Sequence, residues 1–80
     1  MVVARLDCQV CGNGLLVFTW GARTGLFLEC DECMTAYRDP DDLAQRLRGE
    51  DVRETTRPAT SDEVVSRGWQ RFVWYEAPSQ

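Results

Sequence analysis

The richest chemistry in this sequence belongs to four thiols. Cys8 and Cys11 stand in "CQVC", Cys30 and Cys33 in "CDEC", and 18 residues separate the two pairs. A Cys-x-x-Cys turn aims both sulfurs at one point, and two such turns joined by a hairpin build a tetrahedral S₄ cage. The chain has no histidine, so the common nitrogen ligand is missing and the set is Cys8, Cys11, Cys30 and Cys33. Four protein thiolates leave no open coordination position, which makes such a site structural rather than catalytic. One structural Zn²⁺ is the expected ion. A rubredoxin-like iron site would use the same ligands, and two disulfides are the other use of four cysteines. A thioredoxin-type redox pair would need a βαβ frame around one motif, and the flanking sequence does not provide it.

Little else in the chain could do chemistry. Carboxylates are adjacent at Asp31–Glu32, Asp41–Asp42 and Asp62–Glu63. Neighbouring residues on a helix do not face one site, and the last two pairs fall where a helix dipole would favour acids. With no histidine and no lysine, and no glycine loop suited to a phosphate, the chain is expected not to be an enzyme.

The 80 residues allow one domain at most. At that size an apolar core alone rarely contributes more than about 3–5 kcal/mol. Structural zinc contributes roughly 10–16 kcal/mol in small peptides near neutral pH, so the metal is expected to decide whether the chain folds. Nine basic residues, all arginine, face thirteen acids, for a formal charge of −4. Four thiolates on a divalent ion add a further −2. "MVVARLD" lacks the apolar run and cleavage site of a secretory signal, and no apolar stretch is long enough to span a bilayer, so a cytoplasmic protein is expected. The absence of lysine and isoleucine points to a GC-rich bacterial genome.

The elements that must position the thiols follow from pattern. "LLVFTW" (15–20), the glycine-bearing "GARTG" (21–25) and "LFLEC" (26–30) read as a β-hairpin, with "MTAY" (34–37) as a third strand. The first strand is apolar on both faces, so each face needs a cover or a partner. "RDPDDLAQRLRG" predicts a short helix over about 40–48, capped by Asp39, opened by Pro40 and stopped at Gly49. Residues 50–59 read as a loop. "TSDEVVSRGW" predicts a second helix with a Thr60–Glu63 capping box and Gly68 at its left-handed end, where Trp69 meets Val64. "QRFVWYE" (70–76) reads as a closing aromatic strand. The fold class expected is therefore a small, metal-stapled α+β domain over 1–80. It divides into a metal-bearing hairpin unit at 8–37, a short helix within 39–49, a loop at 50–59, and a helix plus closing segment at 60–76.

Residues 8 to 37 resemble a zinc ribbon, a family built from two cysteine knuckles and an antiparallel sheet. "CQVCGNG" matches the family's usual turn, with Gly12 directly after the second cysteine, whereas "CDECMTA" places Met34 there. The resemblance implies a Cys₄ zinc site and the ribbon fold. Members of the family serve in transcription, translation and adaptor proteins, so it implies no single activity.

Charge separates the functional expectations. Between residues 8 and 37 one arginine, Arg23, faces Glu29, Asp31 and Glu32, a net −2 that repels phosphate. The favoured reading is a non-catalytic, acidic module that binds a protein with a basic surface through Trp20, Phe27, Asp31, Glu32 and Trp74. The alternative is an RNA- or DNA-binding ribbon that uses Arg46, Arg48, Arg53, Arg57, Arg67 and Arg71, although acids are interleaved with these.

Overall fold

The computed structural model describes residues 1–47 and 55–78. These form seven strands and one short helix: β1 (Val2–Asp7), β2 (Leu15–Gly21), β3 (Gly25–Cys30), β4 (Ala36–Asp39), β5 (Asp42–Arg46), β6 (Thr56–Pro58), α1 (Ser61–Arg67) and β7 (Val73–Glu76). A single 3₁₀ turn, Gln70–Phe72, links α1 to β7. All strands belong to one antiparallel sheet in the order β5-β4-β3-β2-β1-β7. Strand β6 pairs with β2 alongside Thr19–Gly21, beyond the segment that β1 uses.

The expected hairpin is present, and Leu16↔Cys30 through Gly21↔Gly25 are in continuous register. The fold class, however, must be corrected. The chain is dominated by a seven-stranded sheet and is not a hairpin with two short helices. The predicted helix over 40–48 is instead the end of a second hairpin, with Tyr37↔Arg46 and Asp39↔Asp42 paired. Its capping residues have two uses. Asp39 Oδ1 accepts the Asp41 backbone N–H at 2.9 Å, and Pro40 sits where a type I turn favours it. A nine-residue helix is marginal in water. Pairing with β4 satisfies the same backbone groups, and Leu47 N–H donates to Ala36 O at 2.9 Å. Arg48, Gly49, Arg53 and the first half of the predicted loop (50–54) lie outside the described residues, while Thr56–Pro58 form a strand.

The second helix forms where expected. Thr60 and Glu63 complete the capping box, Gly68 adopts φ +81°, and Trp69 N–H reaches Val64 O at 3.1 Å. Seven residues make too short a helix to stand alone, so packing holds it. Val64 and Trp69 are buried against Phe18, whose ring lies 6.2 Å from that of Trp69. Burial of side chains this large contributes about 1.5–3 kcal/mol each. They cover the Leu16, Phe18, Leu28 and Tyr37 face of the sheet, which carries the main core. On the opposite face a smaller cluster joins Phe27, Ala36 and Leu47. Thus β3 is covered on both sides around Phe27.

Strand β1 went unread in the sequence, yet it lies between β2 and β7 and ties the two ends of the chain together. Its burial pattern opens with three consecutive buried residues, Val2, Val3 and Ala4, so it lacks simple alternation. No helix among the described residues is long and apolar enough to cross a membrane.

Candidate metal centre

Each knuckle leaves one strand and enters another. Cys8 follows β1, Cys11 precedes β2, Cys30 ends β3, and Cys33 precedes β4. The hairpin register brings Cys30 opposite Leu16, so the second knuckle closes over the first. All four sulfurs lie within 4.8 Å of one another. Cys8 Sγ is 3.6 Å from Cys33 Sγ, and Cys11 Sγ is 3.7 Å from Cys30 Sγ. A tetrahedron with bonds of about 2.3 Å sets its sulfurs roughly 3.8 Å apart, so this spacing suits a metal. A disulfide would need sulfurs at about 2.05 Å, and all four cysteines are free. The chain therefore carries a four-cysteine cluster able to bind a metal ion.

The two turns share two backbone features. Val10 N–H points at Cys8 Sγ at 3.4 Å, and Glu32 N–H points at Cys30 Sγ at 3.3 Å. Gly12 has φ +71°, and Met34, its counterpart, has φ +66°. The second knuckle thus keeps the same tight turn without glycine and places a methionine in left-handed backbone. That conformation costs an L-residue about 1–2 kcal/mol. Gly14 serves differently: a Cβ there would overlap Cys30 Sγ and crowd the Asp31 carboxylate. Its carbonyl also accepts the Cys8 N–H at 2.9 Å.

Tyr37, fully buried at 0 % exposure, is a functional residue that the sequence did not announce. Its hydroxyl lies 3.2 Å from Cys8 Sγ and accepts the Gln9 N–H at 3.0 Å. Against a thiolate the hydroxyl is the donor. Burial, and after it the Cys8 contact, raises the Tyr37 pKa, so the group keeps its proton. For Cys8 burial pulls upward, but the Tyr37 hydroxyl and backbone N–H donors outweigh it and bring the thiol down. For Cys30 burial wins and pushes the thiol up. The Thr35 hydroxyl, 3.1 Å from Cys33 Sγ, lowers that thiol. The only sequence signal for this second layer is that Thr35 and Tyr37 immediately follow the second knuckle.

The residues proposed for partner contact are dispersed. Phe27 is 1 % exposed, packed with Ala36 and Leu47, and presents no surface; strand alternation turned it into the second cluster. Trp20 is half-buried, packed against the core, and has the Arg57 guanidinium 5.6 Å from its ring. It stands near the hairpin tip, whereas Asp31 follows the base of β3. Four residues along β2, at about 3.3 Å each, separate Trp20 from the Leu16–Cys30 end. Asp31 and Glu32 are exposed in the second knuckle, and Asp31 Oδ1 also accepts the Leu15 N–H at 3.0 Å. Trp74 is 53 % exposed, stacks edge-on with Tyr75 at 5.1 Å, and lines a cavity of about 310 Å³ with Arg5, Asp7 and Leu15.

Several arginines of the alternative reading have internal work. Arg57 forms a bidentate bridge to Glu63 at 2.9 and 2.6 Å, Arg71 contacts Asp41 at 3.0 Å, and Arg67 lies 4.8 Å from the Trp69 ring. Comparison of the chain with known family models, with curated proteins and with solved structures finds no match.

Proposed function

We propose that this chain is a non-catalytic zinc-ribbon module in which Cys8, Cys11, Cys30 and Cys33 hold one structural Zn²⁺, and that it acts as an acidic adaptor binding another protein in the cytoplasm. The observation that carries the reading is the closed four-sulfur cluster, fitted with its own shell of donors and lacking any open ligand position. With the ion bound, the Tyr37 hydroxyl and the knuckle N–H groups offset the charge on the sulfurs. The acids Asp31 and Glu32 keep the surrounding surface negative. What supports a protein partner is the pairing of those acids with exposed apolar groups on the knuckles: Val10 is 51 % exposed in the first and Met34 63 % in the second. What weighs against nucleic acid is the internal engagement of Arg57, Arg67 and Arg71.

Native mass spectrometry of the protein drawn from its own cells without chelator tests both halves. Zinc mass together with a defined protein partner is the expected spectrum. Iron, no metal, or co-purifying nucleic acid would overturn the corresponding half. Cys30→Ser should abolish the folded, metal-loaded state, seen as loss of near-UV circular dichroism.

A further inference from the structure

We propose that the groove on the outer face of the sheet, beside the cysteine cluster, seats an arginine side chain of the partner protein. This inference rests on the adaptor reading and names the group that the adaptor would recognise. The groove has a volume of about 250 Å³, with Val17, Thr19 and Glu29 along its floor, Met1, Asp31 and Met34 at its edges, and β6 (Thr56–Pro58, Arg57 included) as its remaining wall. Val17 and Glu29 are cross-strand partners, so their side chains stand together.

Charge complementarity selects the occupant. Glu29 is half-buried, and among the described residues its carboxylate meets no hydrogen-bond or ion-pair partner. Asp31, two residues on, turns to the same side and has one oxygen engaged by Leu15 N–H. Cys30 also lines the groove, and a divalent ion on four thiolates leaves the centre at −2. Two cationic residues line the groove among the described residues, Arg57 and the amino-terminal Met1, and each charge has its own partner. The Met1 ammonium donates to Ala77 O at 2.8 Å. Arg57 pairs with Trp20, whose side chain stands on the other face, and its guanidinium is held by both Glu63 oxygens. A planar guanidinium can engage two carboxylates at once, and its stem buries well on apolar walls.

Met34 supplies the second line of argument. At that turn position glycine would relieve the left-handed strain, as Gly12 does in the first knuckle, yet a methionine stands there 63 % exposed. Its side chain makes no core contact that offsets the strain, and it lines this groove. Strained backbone of this kind is found where a side chain is needed in place. Met1, 41 % exposed, faces the groove as well, so two flexible thioethers are available to close on a stem.

The test titrates ¹⁵N-labelled, zinc-loaded protein with the capped peptide Gly-Arg-Gly-Arg-Gly-Arg, and with its glutamine counterpart, at about 150 mM salt. Saturable shifts at Val17, Glu29 and Met34 are expected with the arginine peptide and not with the glutamine one. Glu29→Gln and Met34→Gly should each keep the metal and a dispersed spectrum while weakening binding about fivefold or more. Equal response to both peptides, shifts centred on Asp41 or Trp74, or unaltered binding by both variants would overturn the proposal. So would the same shifts with a short single-stranded DNA, or movement of these resonances on Arg53→Gln without peptide, which would give the groove to the chain itself. A native partner retained undiminished by both variants sinks the groove and leaves the adaptor reading intact. Peptide binding by the groove without any protein partner in cells would do the reverse.

Discussion

Tyr37→Phe isolates one hydrogen bond beside the metal centre. The ring is fully buried against Leu28 and its neighbours, and phenylalanine keeps nearly all of that packing. What disappears is the hydroxyl, 3.2 Å from Cys8 Sγ and 3.0 Å from Gln9 N. A hydrogen bond to a charged acceptor contributes about 1.5–3 kcal/mol net. The Gln9 N–H also loses its acceptor, but Gln9 is exposed and water recovers most of that loss. Second-layer groups on metal ligands are generally worth about 10–100-fold in affinity, or roughly 1.4–2.8 kcal/mol, which agrees with the hydrogen-bond figure. The assay is competition for Zn²⁺ against a chromophoric chelator at neutral pH, with Co²⁺ substitution to report four-thiolate ligation. Tyr75→Phe, at an exposed position, is the control. Tyr37→Phe should retain the four-thiolate spectrum and bind metal about tenfold or more weakly. Affinity within about twofold of the parent would refute the assignment of Tyr37 as donor to Cys8.

Gly14→Ala should abolish stoichiometric metal binding, because the new Cβ overlaps the buried Cys30 sulfur itself; full metal content by elemental analysis would contradict this. Met34→Gly relieves about 1–2 kcal/mol of left-handed strain and forfeits about 0.4–1 kcal/mol through the freer unfolded chain. The zinc-loaded variant should therefore melt a few degrees higher, and a lower melting temperature would show that the Met34 side chain stabilises the fold directly. Glu63→Gln weakens the bridge to Arg57 and the capping box, at a cost of about 1 kcal/mol. The Arg57 guanidinium, and then the Thr60 N–H, hold the Glu63 carboxyl down at about 2. A depressed carboxyl contributes stability above its ordinary range and loses it only as pH falls toward the folded value, so the gap in melting temperature between variant and parent should stay flat from about pH 8 to pH 5. A gap closing within that window would assign the effect to another group.

Local chemistry made part of this molecule legible. The spacing of Cys8, Cys11, Cys30 and Cys33 defined the cluster, because a two-residue gap within each pair converges its sulfurs whatever surrounds them. Thr60, Glu63 and Gly68 defined α1, because caps act through the nearest backbone groups and owe nothing to distant residues. Glycines in 21–25 marked the hairpin turn for the same reason.

Elsewhere the residues had two locally acceptable conformations, and the sheet chose between them. Asp39 and Pro40 suit a helix start and a β-turn equally; the open edge of β4 made the strand the better partner for the backbone of 42–46. Phe27 and Trp20 looked alike in an apolar strand, but Ala36 and Leu47, brought over by β4 and β5, buried the first and left the second half open. The Tyr37 hydroxyl reached Cys8, 29 residues away, only because β4 lies beside β3 and turns that ring under the first knuckle. Sequence by itself determined which atoms could bind a metal. Strand pairing between distant segments decided which groups surround it and which face remains open, since register is a property of two strands together and is written in neither alone.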